Sequence, residues 1–239
     1  MTEFLPVSSS GHLVLLQKLF RISGEEVAVS VVLHLGTLAA VCLYFFKDIV
    51  RAAKDKRMVL YIGAVTLITG AIGIAGRDFF EGLFSFPAAV CAAWLFTGLV
   101  LLATKRFPAR GREAVTFKDS VILGFTQAVA IIPGISRSGM TISTLLFRGV
   151  AKKTAFSFSF IISIPAILGA TLLEAKKIGF AVQGNAAALS AGFIASLGAG
   201  LVSLMFLKRA LLKEKFHLFG YYCVAISLVT LGLLISGFI

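Results

Sequence analysis

The sequence has few charged residues. Only 14% of its 239 residues are Asp, Glu, Lys or Arg, against about a quarter in soluble domains, and 58% are hydrophobic. The mean hydropathy is +0.97. A chain this apolar cannot hide its hydrophobic surface inside one water-soluble core, so we expect its surroundings to be lipid. With five prolines and no Ser/Gln-rich tract, no disordered linker is expected.

Cysteine patterns and long basic tracts are also missing. Cys42, Cys91 and Cys223 lie far apart within apolar runs, so neither a zinc site nor a disulfide framework is expected. The net charge of +12 would suit nucleic acid, but Lys and Arg are confined to short stretches between apolar runs. That distribution is typical of membrane proteins. We therefore expect no nucleic-acid partner, and a basic surface that favours anionic lipid headgroups.

Six stretches are long and apolar enough to cross a bilayer, which takes roughly 20 residues. None contains Asp, Glu, Lys or Arg; they cover approximately 27–46, 58–76, 87–103, 154–173, 188–207 and 218–238. Most of the Lys and Arg lie in three connectors, 47–57, 104–119 and 208–217. Because basic connectors favour the inner side of a membrane, these three are predicted to be cytoplasmic. Both termini then lie outside.

Two further apolar segments, 3–20 and 120–147, are interrupted by proline, glycine and serine. The first break reads PVSSSGH (Pro6–His12) and the second PGISRSG (Pro133–Gly139). Proline disrupts a helix, and unsatisfied backbone groups in hydrocarbon cost several kcal/mol each. Each break must therefore line a cavity or pack within protein. Basic residues flank both ends of the second segment, which predicts a re-entrant hairpin rather than a span.

The two breaks resemble each other, with one inserted residue, about 128 positions apart. Each is followed by three spans, which divides the chain into halves near 1–103 and 104–239. Three is an odd number, so the second half is expected to be inverted relative to the first. Broken helices of inverted repeats meet near the bilayer midplane and form polar sites there. The predicted fold is therefore an all-α polytopic membrane protein, with six transmembrane helices plus two re-entrant helical hairpins in an inverted-topology repeat.

Groups that bind phosphate gather at both breaks. The chain is expected to restart as a helix at about Gly11 and Gly139, with free N–H groups facing the serines. The candidate phosphate-binding residues are Ser8, Ser9, Ser10, Gly134, Ser136, Ser138, Thr141 and, inside the second hairpin, Gln127. Alternatively, the serines merely cap helices. Capping does not explain Arg137, which is costly in a membrane and has a planar fork suited to phosphate oxygens.

Glu3 and His12 flank the first break. A Glu, a His and a serine that share a site can serve as base, metal ligand and nucleophile. Glu3 could equally belong to a frayed chain terminus. His34 lies in the middle of a predicted span and is expected to hydrogen-bond a neighbouring helix, while Glu174 is expected to be interfacial.

The segments TEFLPVSSSGH (Thr2–His12) and PGISRSGMT (Pro133–Thr141) resemble the two signature motifs of the undecaprenyl-pyrophosphate phosphatase family of the bacitracin-resistance type. The resemblance covers nearly the whole chain in span order. It implies an enzyme of the bacterial cytoplasmic (inner) membrane that hydrolyses undecaprenyl pyrophosphate to the monophosphate. Such hydrolysis recycles the lipid carrier for cell-wall synthesis and confers bacitracin resistance.

By motif match, the resemblance implies that Glu3, His12 and Arg137 are essential. It also implies that Ser9 is a candidate nucleophile and that a divalent cation, Mg²⁺ or Ca²⁺, is required with Glu3 as a ligand. The family's first motif begins with an acid four residues before Glu3, ahead of Met1. The front half of the first hairpin is therefore expected to be absent, through truncation or a misplaced gene start.

Several alternatives stay open. Ser9 or an activated water could attack the phosphoanhydride. A transporter or flippase for a phosphorylated lipid or anion could use the same midplane site, because inverted repeats with broken helices also occur in transporters. The expected partners are a polyprenyl pyrophosphate lipid and the membrane, and the protein could act as a monomer or a homodimer.

Overall fold

The protein is mainly helical in the part of the chain that its computed structural model describes, residues 2–20, 27–107, 111–177 and 186–237. Within those ranges the one β-type pairing is an isolated bridge between Arg112 and Val150. The α-helices in the same ranges are α1 (Ser9–Phe20), α2 (Val27–Tyr44), α3 (Phe46–Lys54), α4 (Lys56–Ala75), α5 (Arg77–Leu83), α6 (Pro87–Ala103), α7 (Phe117–Val129), α8 (Arg137–Phe147), α9 (Lys152–Ile161), α10 (Ser163–Lys177), α11 (Ala186–Leu212) and α12 (Leu218–Ile235).

The helices are long and apolar enough for a multi-pass membrane protein. Five segments of the described chain qualify as spans: α4, α6 with the turn after it, α9 with α10, α11, and α12. A sixth qualifies if α2 and α3 are counted together across their 74° bend. A helix rises 1.5 Å per residue, so about 20 residues cover the roughly 30 Å of a hydrocarbon core. The predicted all-α polytopic architecture is confirmed.

Some predicted boundaries need correction. The span expected over 154–173 corresponds to one candidate span, Lys152–Lys176, in which Ile162 divides α9 from α10. Pro165 explains the division, because proline lacks an N–H and its ring conflicts with the carbonyl four residues earlier, that of Ile161. The connector 47–57 is mostly helical, since α3 occupies it. The last span was predicted to reach residue 238, but α12 ends at Ile235, and residue 238 lies outside the described residues.

Small residues let the long helices approach one another closely. A methyl group added at Gly220 on α12 would lie 2.7 Å from the carbonyl oxygen of Gly98 on α6. One added at Gly36 on α2 would clash with the hydroxyl oxygen of Ser196 on α11. Helices in lipid associate through such close packing, because burying apolar surface gives little advantage in an apolar solvent.

The second broken segment forms a helical hairpin of α7 and α8. Asp119 near the start of α7 is fully buried and accepts from Arg112 at 2.6 Å and from Arg148, just after α8, at 2.9 Å. These ion pairs hold the two ends of the hairpin together at one end of the bundle, as the basic flanks predicted. Whether the hairpin is re-entrant in a bilayer, and whether the halves 1–103 and 104–239 form an inverted repeat, stay predictions.

The same end of the bundle collects residues from all three basic connectors. Lys152 pairs with Glu214 at 2.9 Å, and Ser157 donates to Asp48 at 3.2 Å. Arg112 bridges to Val150, two residues before Lys152. We call this the basic end. The location of all three connectors at this end agrees with the prediction that they share one side of the membrane. Which side that is stays a prediction.

Candidate active site

The two breaks have the same local construction. The hydroxyl of Ser8 accepts the Gly11 N–H at 3.3 Å, and the hydroxyl of Ser136 accepts the Gly139 N–H at 3.2 Å. Each serine therefore caps the helix that follows it, because its hydroxyl accepts the backbone N–H of the residue three positions later. The helices consequently begin at Ser9 and Arg137, two residues earlier than expected at each break. The capping alternative is thus observed for Ser8 and Ser136.

The breaks also touch each other, which the sequence predicted. The Gly134 N–H donates to the Ser8 hydroxyl at 3.1 Å across a sequence separation of 126. Since the Ser8 oxygen already accepts the Gly11 N–H, its own hydrogen is left for the hydroxyl of Ser10, 3.2 Å away. Gly134 has φ +96°, a conformation that favours glycine, and a methyl group there would meet the Val90 carbonyl at 2.6 Å.

Helix α6 holds both breaks in place. The buried Thr97 hydroxyl donates to the Gly134 carbonyl at 3.1 Å and accepts from the Ser136 N–H at 3.2 Å. One turn away, the indole of the buried Trp94 donates to the Val7 carbonyl at 3.0 Å. These bonds satisfy backbone groups that each break frees. Sequence reasoning missed both residues; the one available signal was a polar side chain and a tryptophan within a predicted span.

An ion pair joins the two breaks at the centre of the site. Arg137 Nη2 lies 2.8 Å from Glu3 Oε1, although 134 positions separate the two residues. The other carboxylate oxygen, Oε2, accepts the hydroxyl of Ser9 at 2.8 Å. The side chains of Arg137 and Glu3 are 19% and 21% exposed, so they are sheltered but still reachable. A base, a hydroxyl and a cation therefore stand side by side at an accessible position.

His12, three positions after Ser9, has both ring nitrogens engaged. Nδ1 donates to the Ser8 carbonyl at 2.6 Å, and Nε2 lies 2.7 Å from the Tyr222 hydroxyl on α12. The His12 ring stacks on that of Tyr222 and meets Trp94 edge-on. The contact with Tyr222 was not foreseen. Both nitrogens have partners other than Ser9, so in this arrangement the carboxylate of Glu3, not His12, is placed to take the Ser9 proton.

Three other candidate residues have contacts of their own. The hydroxyls of Ser136 and Ser138 lie 3.4 Å apart, repeating the spacing of Ser8 and Ser10 in the first break. Thr141 donates to the carbonyl of Arg137 at 2.8 Å and faces Ser159 on α9.

Gln127 is buried against α4, where its amide nitrogen donates to Thr69 at 3.3 Å. In this structure it lies against that helix rather than beside Glu3. Its predicted role in substrate binding remains a prediction.

A second ionisable pair links two predicted spans. His34 on α2 lies 3.7 Å from Glu174 on α10, with both side chains about one-third exposed (37% and 35%). His34 therefore contacts a neighbouring helix, as the sequence predicted.

The described residues contain no cluster of three His, Cys, Asp or Glu side chains that could hold a metal ion. Glu3 offers one carboxylate, whose oxygens already accept from Arg137 and Ser9. This donor set is too small to bind a cation by itself, but Mg²⁺ is commonly held by one or two carboxylates together with substrate phosphates.

Comparison with known proteins gives consistent matches over nearly the whole chain. The family described as "Bacitracin resistance protein BacA" matches residues 1–229. A protein of Carboxydothermus hydrogenoformans named undecaprenyl-diphosphatase is 39% identical, over 99% of this chain and 94% of its own length. Proteins with the same name from Desulfatibacillum aliphaticivorans (37% identical, 100% of this chain, 95% of that protein) and Methanobrevibacter smithii (36%, 96% and 91%) are also similar.

Proposed function

We propose that this chain, which belongs to the bacitracin resistance protein BacA family, hydrolyses undecaprenyl pyrophosphate to undecaprenyl phosphate and inorganic phosphate. The relatives named undecaprenyl-diphosphatase support this reaction. The observation that carries the proposal is the arrangement of Ser9, Glu3 and Arg137, in which one carboxylate bonds both a hydroxyl and a guanidinium. Phosphoryl transfer requires the protein mainly to position the reacting groups and to stabilise negative charge, and these three residues can do both.

Arg137 would bind the terminal phosphate. One guanidinium N–H is used by Glu3, and the group has five, so others remain for two phosphate oxygens at once. Arg137 also begins α8, whose first-turn N–H groups add positive potential. Ser10 and Ser138 present hydroxyls at the equivalent positions of the two helices. Together these groups would stabilise negative charge on the phosphorus oxygens as the bond breaks.

Ser9 would attack the terminal phosphorus while its proton passes to Glu3. The new bond joins the serine oxygen to phosphorus, and the bridging P–O bond breaks, so that undecaprenyl phosphate leaves with the electron pair. Glu3 gives that proton to the departing undecaprenyl phosphate and is a carboxylate again. Water then attacks the phosphoserine and passes a proton to Glu3, the bond between the serine oxygen and phosphorus breaks, and inorganic phosphate leaves. Glu3 finally returns the proton to the Ser9 oxygen. The alternative is direct attack by water, with Glu3 as the base.

Glu3 would be the protein ligand of a divalent cation, Mg²⁺ or Ca²⁺. Such hard cations prefer oxygen ligands, and the substrate would supply those that the protein does not. The cation would neutralise part of the pyrophosphate charge. The residues named above would still bind the substrate, position it and move the proton.

The setting of the reaction is also proposed. The basic end would face the cytoplasm and both termini would lie outside, in a bacterial inner membrane, because positive connectors favour the inner side. The product would be returned to cell-wall synthesis, which accounts for bacitracin resistance. The absence of a nucleic-acid partner and the choice between monomer and homodimer stay predictions.

The test is phosphate release from undecaprenyl pyrophosphate by purified protein in detergent. We expect wild-type release, near-complete loss in Ser9→Ala and Glu3→Gln, and no loss in Ser196→Ala, a matched serine on α11. Acid quenching with substrate labelled in the terminal phosphate should trap labelled protein that depends on Ser9. Wild-type rates in Ser9→Ala would assign the attack to water. No release by the wild type would favour a transporter, which needs two compartments to act.

A further inference from the structure

A second cavity opens at the basic end, away from the site of Glu3 and Arg137. Its volume is about 620 Å³, within the range of small-molecule binding sites. Its wall is formed by the end of α2 with α3, the start of α4, α9 and the last turns of α11. Nothing in the proposed reaction uses it.

The charged residues that line this cavity include more cations than carboxylates. Arg51, Lys153 and Lys208 line it, together with two carboxylates, Asp48 and Asp55. Both carboxylates are already engaged. Asp48 accepts from Ser157 at 3.2 Å and faces Arg51 at 3.5 Å, while Asp55 accepts the N–H of Arg57 at the start of α4.

The two lysines are left without a balancing charge. Throughout the described part of the chain, no carboxylate lies within ion-pair distance of Lys153 or Lys208. The ammonium of Lys208 sits 5.6 Å from the centre of the Tyr44 ring, a contact that holds the cation at the cavity wall. The cavity therefore offers two positive groups to an anion.

The cavity also has an apolar part of its wall. Phe45, Met58, Phe156 and Ile161 line it, and the rings of Phe45 and Phe156 lie 5.3 Å apart. A small inorganic anion would satisfy the lysines and leave this wall uncovered. An amphiphile with a phosphate and a hydrocarbon chain matches both kinds of lining residue, because burying apolar surface on the rings adds to the attraction of the charges.

A layer of aromatic rings divides this cavity from the candidate active site. Phe160 stacks on Phe45 at 5.6 Å and meets Phe4 edge-on at 5.5 Å. Phe4 is fully buried and is the neighbour of Glu3 in the chain. The cavity thus lies on the far side of the rings from the proposed catalytic carboxylate, and its occupant would not occupy the substrate's phosphate position.

We propose that this cavity binds the headgroup of an anionic membrane phospholipid. The lipid phosphate would lie between Lys153 and Lys208, and the first part of an acyl chain would run along Phe45 and Phe156. The proposal goes beyond hydrolysis of the substrate lipid, and it does not depend on the identity of that substrate.

The test is native mass spectrometry of the full chain in detergent, titrated with phosphatidylglycerol, phosphatidylcholine or inorganic phosphate. We expect phosphatidylglycerol to bind at least about tenfold more tightly than phosphatidylcholine, since each nearby Lys adds about 1 kcal/mol toward an anionic lipid. The double variant Lys153→Gln/Lys208→Gln should lose that preference. Lys105→Gln/Lys176→Gln, which removes the same charge elsewhere, should retain it. Both variants should still release phosphate, which shows that they are folded.

Three results would overturn the proposal. Equal binding of phosphatidylglycerol and phosphatidylcholine would mean that the cavity does not distinguish an anionic headgroup from one with no net charge. An equal loss in both double variants would mean that net charge alone attracts the lipid. Binding of inorganic phosphate as tight as that of phosphatidylglycerol would make the cavity an anion site in which the apolar wall has no role.

A shortened side chain at the wall, Phe156→Leu, adds an independent check, because it should weaken phosphatidylglycerol binding while leaving both lysines in place.

Discussion

At the residue scale, the contact on which the proposed chemistry depends is the ion pair of Glu3 and Arg137. A charged arginine within a membrane is costly unless it is paired, and Glu3 supplies the partner. Because the same carboxylate accepts the Ser9 hydroxyl, charge pairing and proton transfer meet in one group. The identity of each of these side chains therefore matters more than its volume.

Replacing Arg137 with lysine should remove most of the activity. Lysine keeps the positive charge but loses the planar fork that holds two phosphate oxygens, so we expect the barrier to rise by about 2–4 kcal/mol. Ser138→Ala should cost less, about 0.5–1.5 kcal/mol, because it removes one neutral hydrogen bond. The measurement is phosphate release per folded protein. A fully active Arg137→Lys enzyme would mean that this arginine acts as a point charge or a structural anchor.

Removing the hydroxyl of Tyr222 should have a smaller effect than removing the ring of His12. Tyr222→Phe loses one hydrogen bond, to His12 Nε2, worth about 0.5–1.5 kcal/mol, and keeps the stacked ring. His12→Ala also releases the Ser8 carbonyl and so loosens the first break. Rates and melting temperatures of both variants test this order. Equal losses in rate would show instead that the Tyr222 hydroxyl takes part in the reaction.

At the scale of elements, the site is made by helix beginnings that a third helix holds in position. Helices α1 and α8 each start at a serine cap, and α6 supplies hydrogen bonds to the backbone before both of them. Backbone groups freed by a break must be satisfied inside the protein when the solvent is lipid. The geometry of the breaks is therefore a property of the three helices together.

Thr97→Val should disturb the site without changing its charges. Valine has nearly the same shape, but it leaves the Gly134 carbonyl and the Ser136 N–H unpaired in a buried place. Each loss costs about 1–3 kcal/mol, so we expect a lower melting temperature and a slower reaction. Thr97→Ser keeps the hydroxyl and is the matched control. A Thr97→Val protein as stable and active as Thr97→Ser would show that α6 does not position the break.

The buried Asp119 should make the second hairpin sensitive to acid. Burial alone would raise the pKa of this carboxyl, but hydrogen bonds from Arg112, Thr116 and Arg148 outweigh it and lower the pKa to about 2 from an ordinary 3.8. Because the folded pKa is the lower one, the stabilisation is complete above pH 3.8 and is lost as the pH falls toward 2. Thermal unfolding in detergent across this window should show the loss.

Asp119→Asn tests the same ion pairs at neutral pH. It leaves Arg112 and Arg148 without their carboxylate, and breaking a buried pair in this way costs on the order of 3 kcal/mol. The variant should also lose the acid dependence between pH 3.8 and 2 that Asp119 gives the wild type. Asp48→Asn, at an exposed pair, is the control and should change stability little. An unchanged melting temperature in Asp119→Asn would contradict the role of this cluster.

At the scale of the whole molecule, the chain is polarised. The three basic connectors meet at one end, and the second cavity opens there, while Glu3 and Arg137 lie beyond the aromatic layer. Because positively charged connectors favour the cytoplasmic side of a membrane, such a distribution of charge favours one orientation of the protein. The orientation in turn decides from which side substrate and phosphate reach the site.

Cysteine labelling should find the basic end on the cytoplasmic side. In a background with Cys42, Cys91 and Cys223 replaced by alanine, a cysteine at Lys54 should react with an impermeant reagent only after the membrane is opened. A cysteine at Ser85, in the weakly charged connector after α5, is the matched control and should react in intact cells. Ready labelling at position 54 from outside would reverse the topology and place both termini inside.

The sequence by itself determined the class of the fold, the approximate spans, and the two breaks with their polar residues. These follow from local signals, since hydropathy, proline and charge act on the residues around them. The division of one span at Ile162 could also have been read from Pro165. The helices start two residues before the approximate positions expected, at Ser9 and Arg137, because Ser8 and Ser136 cap them.

Only the tertiary structure decided which polar groups satisfy one another. Glu3 and Arg137 are 134 positions apart, and neither span pattern nor motif spacing fixes the distance between their side chains. The same holds for Thr97 with the second break, for Tyr222 with His12 and for the lysines that face the second cavity. In lipid every freed backbone group and every charge must find a partner within the protein, and the partners are whichever side chains the helix packing brings near.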